Sequence, residues 1–188
     1  MKHYLVSLVA LAATTLGCQA PKAQEAPRTT HEAVAPHLVF GESVDAHGNP
    51  VRARVALVRP RGSNSTTTEG KFTLPGFYDS GPRTLVATTE DGLITWKSIE
   101  AGDHGPHLLV LEEQGAFLDL VLESDEDARV GIDLAGVRIH DQTLRPGKPA
   151  TLVVPAGDDS RLVVRLDEEE QHAASFGSGT RSSLALPR

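Results

Sequence analysis

Between His37 and Leu166 the chain is written as apolar runs of four to eight residues, each closed by Gly, Pro, Asp or Asn. Runs of that length, rich in Val, Leu, Ile and Thr and bounded by turn formers, predict strands. The candidates are 37–44, 52–58, 70–74, 83–89, 93–100, 106–113, 116–123, 129–134, 136–141, 150–154 and 160–166. In 116–123, Leu118, Leu120 and Leu122 fall on one side while Asp119, Val121 and Glu123 fall on the other. In 160–166, Leu162, Val164 and Leu166 oppose Arg161, Val163 and Arg165. A period of two with polar residues on the outer face describes sheets with one side wet. No segment after the N-terminus carries a helical period, so the fold class read from the sequence is all-β.

Composition narrows how such sheets hold together. Aromatic residues make up only 4% of the chain, so the core rests on Val, Leu and Ile. There is one cysteine, Cys18, which leaves no partner for a disulfide. Small β-domains without cross-links or metal are marginally stable, which favours one contiguous sandwich or two packed modules over isolated units. The formal net charge of −7 argues against nucleic acid as a partner, since phosphate recognition calls for a clustered basic excess.

The turns of the first half are specific. Gly41 to Val44, Asp45, Gly48, Pro50 and Val51 to Val55 spell strand, turn, strand; Gly70-Lys71-Phe72-Thr73-Leu74-Pro75-Gly76 and Gly81-Pro82-Arg83-Thr84-Leu85-Val86-Ala87 follow. Asp45 can bond the backbone of its turn, Gly48 takes the positive φ, and Pro50 stiffens the way into the next strand. Gly70 permits the tight turn that sends Phe72 and Leu74 inward. Over about 37–113 this pattern resembles the carboxypeptidase regulatory-like domain, a transthyretin-like sandwich of seven strands. Arg83-Thr84 departs from the small and aromatic residues usual after the third turn of that family. The resemblance implies an antiparallel sandwich over 37–114 and an accessory, non-catalytic role.

Leu74-Pro75-Gly76 followed by Thr84-Leu85-Val86-Ala87 has an echo in Val154-Pro155-Ala156-Gly157 followed by Arg161-Leu162-Val163-Val164. The echo reads as a second, smaller β-module over 115–167, weakly similar to PEGA-type repeats, or as Pro-Gly hairpins recurring in one sandwich. From Asp167 the sequence turns acidic and then Ser/Gly/Ala-rich, which predicts a disordered tail over 168–188.

The N-terminus is an address. Lys2 and His3 precede an apolar run from Tyr4 to Ala13, and small residues follow to Gly17, the order of a secretory signal. The apolar run is about half of the roughly 20 residues a spanning helix needs. Leu16-Gly17-Cys18 resembles the bacterial lipoprotein signal, with Thr15 departing from its usual branched apolar residue; an ordinary signal cut after Ala20 or Ala23 is the other reading. The resemblance implies a signal peptide over 1–17, acylation of Cys18 and anchoring to a membrane. Gln19 behind the cysteine then points to the outer membrane of a diderm host. Residues 18–36, rich in Pro and Ala, make a tether. Loss of the leader removes Lys2 and takes the net charge from −7 to −8.

Templates for chemistry mostly fail. There is no G-x-S-x-G, no P-loop and no thiol beyond Cys18. His31-Glu32 starts like a zinc-protease motif, but His37 lies six residues on, across Pro36. Asp103, His104 and His107 sit within five residues at a turn and form the best metal-ligand set, with His47 or His140 as the further ligand. The plainer reading makes them turn residues. Glu123, Asp125, Glu126 and Asp127 lack the Gly and oxygen spacing of a calcium loop. Arg52, Arg54, Arg59 and Arg61 form a basic stretch that either meets an anionic glycan or lipid, or guards an edge from aggregation. Tyr78 is the candidate sugar platform, and Trp96, alternating with Ile94, reads as core. The expectation is a non-enzymatic, cofactor-free lipoprotein serving another envelope protein or a glycan; a glycan-binding module and a small metal-binding protein are the alternatives.

Overall fold

The computed structural model describes residues 37–77 and 81–187. Among them are fifteen strands: β1 (Leu38–Asp45), β2 (Arg52–Arg59), β3 (Gly62–Glu69), β4 (Lys71–Pro75), β5 (Arg83–Thr88), β6 (Leu93–Ile99), β7 (His107–Leu111), β8 (Glu113–Gln114), β9 (Ala116–Leu122), β10 (Ala128–Leu134), β11 (Val137–Leu144), β12 (Ala150–Val154), β13 (Leu162–Leu166), β14 (Glu169–Ala174) and β15 (Arg181–Leu186). They pair into four sheets: sheet I, β4-β1-β7; sheet II, β3-β2-β5-β6-β8; sheet III, β12-β9-β15; and sheet IV, β11-β10-β13-β14. The protein is an all-β sandwich.

Sheets I and II close over one core. Val39 of β1, Ala53, Val55 and Leu57 of β2, Phe72 and Leu74 of β4, Leu85 and Ala87 of β5, Ile99 of β6 and Leu109 and Leu111 of β7 are all buried together there. Sheets III and IV close over a second, with Leu118, Leu120 and Leu122 of β9, Val130 and Ile132 of β10, Val154 of β12, Leu162, Val164 and Leu166 of β13 and Leu186 of β15. β4, β7, β9, β12 and β13 alternate in burial, as half-buried strands do.

The two sandwiches have the same topology. If β9 to β15 are counted as one to seven, sheet III repeats the order 4-1-7 of sheet I, and sheet IV repeats the order 3-2-5-6 of sheet II. In both, the first strand lies central, antiparallel to the fourth and parallel to the seventh. The echo at Leu74-Pro75 and Val154-Pro155 therefore marks equivalent places, the ends of β4 and β12.

Three expectations need correction. The segment 168–188 is not a disordered tail: β14 and β15 occupy 169–174 and 181–186, and Leu186 is fully buried. Without them the second sandwich would lack its sixth and seventh strands. The second module is consequently not small, and it does not end at 167. Nor is the sandwich wholly antiparallel, because β7 and β15 each return alongside the first strand of their repeat.

The second unit is also not separate from the first. Val58, Val86 and Ile94, on the face of sheet II turned away from its own core, are buried in the core of the second sandwich. Trp96 on the same face packs against that core as expected. The edge formed by β11 and β12 seats on this face. Sheet II is thus covered on both sides, which is why β5 is buried at Arg83 through Ala87 without alternation.

The first turn is built as its residues dictate. Asp45 Oδ1 accepts bonds from the backbone N–H of His47 and Asn49, both 2.8 Å, and Gly48 has φ +82°. The Asn49 side chain donates to Asp45 Oδ2, and these bonds hold the carboxyl below the usual carboxylate range. Gly70, at φ +107°, lies so close to Pro50 that a Cβ there would come within 2.8 Å of it.

Candidate functional site

The structure separates the residues that the sequence groups. Cys18 and Tyr78 lie outside the described residues. His107 opens β7 with its side chain buried, and its Nε2 is 3.6 Å from Asp103 Oδ1. His104 turns the other way: its Nδ1 is 3.0 Å from the Leu38 carbonyl, and its ring stacks on His37 with centroids 5.3 Å apart. His47 sits in the β1–β2 turn, and His140 lies on β11 in the second sandwich. Among the described residues no group of three or more His, Cys, Asp and Glu side chains comes together. Glu123, Asp125, Glu126 and Asp127 form an exposed loop between β9 and β10.

The arginine stretch divides by strand geometry. Arg52 and Arg54 lie exposed on the outer face of β2. Arg59 points to the opposite side, its guanidinium 4.2 Å from the centre of the Phe77 ring. Arg61 leaves the strand altogether, and its backbone N–H donates to Asp141 Oδ2 at 2.9 Å.

Asp141 belongs to a buried ionic lattice that sequence reasoning missed. β10 places Arg129, Gly131 and Asp133 on the outer face of sheet IV, and β13 places Arg165 beside them. Arg138 of β11 lies across this face, 8% exposed, bonded to Asp133, to Asp141 Oδ2 at 3.0 Å and to Glu168 Oε2 at 2.9 Å. Arg129 also donates to Asp141, and Arg165 to Asp133. Burial alone would favour a neutral Arg138, but its bonds to Asp133 and Glu168 outweigh that and raise its pKa. A Cβ at Gly131 would collide with the guanidinium, so the glycine is the slot in which it lies. The available signal was the alternation Arg129-Gly131-Asp133, an outer face carrying charge around a residue with no side chain.

A cleft of about 290 Å³ opens where the second sandwich meets sheet II. Its floor is Ala56 and Val58 of β2 and Val86 of β5. Arg52, Arg54, Thr67, Thr88 and Glu90 line it from the first sandwich, and His140, Gln142, Thr151 and Val153 line it from the second. The His140 ring donates from Nε2 to the Val153 carbonyl at 2.8 Å. Burial depresses its pKa to about 4, a fall that this hydrogen bond opposes and the charge of Arg54 assists. Arg52 and Arg54 form no ion pair among the described residues. The amide nitrogen of Gln142 is buried without a hydrogen-bond partner there.

No protein-family model matches the chain. No curated protein matches it either. Among solved structures it is similar to the Bacillus anthracis TIE protein, with 12% identity and a TM-score of 0.34 over 81% of this chain and 34% of that one. The chain thus spans about a third of the length of that protein. It is similar to the major pilin of Streptococcus pyogenes, with 9% identity and a TM-score of 0.30 over 82% of this chain and 99% of the pilin. It is also similar to a DUF3823 family protein from Bacteroides ovatus, with 13% identity and a TM-score of 0.30 over 76% and 98% of the two chains.

Proposed function

We propose that the protein is a non-enzymatic accessory module of the bacterial cell envelope, held to a membrane by acylation of Cys18, in which two locked sandwiches present a rigid binding surface. In a diderm host that membrane is the outer one. The observation that carries the reading is the lattice around Arg138. The oxygens of half-buried Asp133 and of buried Asp141 are occupied by guanidinium groups, so these carboxylates serve to fix geometry and are not free to act on a substrate.

The first sandwich is read as a carboxypeptidase regulatory-like domain. Its seven main strands and the Asp45–Pro50 turn support that reading, and the matching topology of β9 to β15 extends it to the second sandwich. The anchor is tested by fractionating cells that express Cys18→Ser. The variant is expected in the soluble fraction with an unchanged melting temperature. Retention on membranes would overturn the anchor. Crosslinking of the intact protein in its own membrane is expected to capture an envelope partner.

A further inference from the structure

We propose that the cleft between the sandwiches binds a short acidic saccharide through the carboxylate of a uronic acid unit. The inference deepens the accessory reading and rests on it only in taking the protein for a binding module.

The cleft has the parts such a ligand needs. Arg52 and Arg54 are two residues apart on one face of β2, beside the cleft, with no carboxylate to engage them among the described residues. A planar guanidinium recognises a carboxylate through paired hydrogen bonds, and two of them at one rim give a preferred end for the ligand. Behind them the half-buried methyl of Ala56 gives the cleft an apolar patch for the C–H face of a pyranose, with Val58 and Val86 buried beneath it. The walls offer neutral groups suited to hydroxyls: Thr67 and Thr88 on one side, and on the other Gln142, whose amide nitrogen is an unmet donor. A buried donor without a partner costs free energy that a ligand hydroxyl would recover.

Charge and size choose among anions. Two carboxylates line the same cleft, Glu90 and Asp141; Asp141 is engaged by Arg129 and Arg138, which leaves the charge of Glu90 set against the two arginines. That balance tolerates a singly charged carboxylate better than a doubly charged phosphate. His140 is neutral near pH 7 and adds no positive charge. A volume of about 290 Å³ is at the small end for ligand sites and admits one or two sugar rings. Junctions between packed units are also where such sites recur.

The test uses the full chain carrying Cys18→Ser, titrated with a glucuronate-containing disaccharide while backbone amide shifts are followed by NMR. Saturable shifts are expected at Arg54, Thr88 and Gln142. Arg54→Gln, and separately Gln142→Leu, should weaken binding about tenfold or more while leaving the melting temperature unchanged, the loss expected for a charged or buried hydrogen bond. Glucose should leave these amides unmoved. The proposal is overturned by an absence of saturable shifts, by glucose binding equally well, or by inorganic phosphate matching the disaccharide in affinity. The anchor and the ligand fail separately, because Cys18→Ser fractionation does not involve the cleft and the titration does not involve the membrane.

Discussion

Arg138 and His140 sit two residues apart on β11 and answer to opposite physics. Arg138 keeps its charge in a buried place because carboxylates surround it; His140 gives up its charge because nothing does. Arg138→Met leaves Asp133, Asp141 and Glu168 crowded with one guanidinium fewer. Urea denaturation should show a loss of about 3–5 kcal/mol, the cost of breaking a buried ionic group on one side. Gly131→Ala should unseat the same guanidinium without removing it, and should fall in the same direction. His140 predicts a pH dependence. Its folded pKa of about 4 lies below the ordinary value of 6.5, so the unfolded chain binds the proton more tightly between the two. Stability is therefore full above pH 6.5 and falls as the pH drops toward 4, by about 3 kcal/mol at most. His140→Gln, which can still donate to the Val153 carbonyl, should flatten that slope in denaturation curves taken from pH 7 to pH 4.

At the level of elements, the strands legible in the sequence were those whose burial alternates in aliphatic residues. All eleven candidate runs are strands, with boundaries shifted by a few residues. β3 was hidden because Gly62-Ser-Asn-Ser-Thr-Thr-Thr-Glu69 contains no apolar residue; it is an edge strand whose pairing with β2, and not burial, holds it. β14 was masked by its acidic start, and β15 by the Ser/Gly context around Leu184 and Leu186, although those two leucines keep the period of two. The candidate site was legible only in part. Arg52 and Arg54 were visible as a pair on one strand face, whereas His140 and Gln142 reach them through a packing of repeats that no local pattern encodes. β15 offers a test of its own. Leu186→Ala should cost about 2–5 kcal/mol, as truncation of a buried leucine does. Deleting 181–188 should unfold the second sandwich by stripping the central strand β9 of its parallel partner, visible as lost near-ultraviolet signal and new dye binding.

At the scale of the whole molecule, the described residues form two copies of one seven-stranded plan, joined by burying a face of the first under an edge of the second. Because Val58, Val86 and Ile94 belong to the second core, neither half should be stable alone. Residues 37–187 are expected to melt in a single transition by calorimetry, with equal van't Hoff and calorimetric enthalpies. A fragment ending at 114 should expose that apolar face and self-associate. The same plan makes the outer face of sheet IV the counterpart of the face that receives the second copy. In the first copy that place holds valines and an isoleucine; in the second it holds Arg129, Asp133, Arg138 and Arg165. A third copy stacked in the same manner would have to press an apolar edge onto paired charges, so the ionic lattice opposes further stacking on this face.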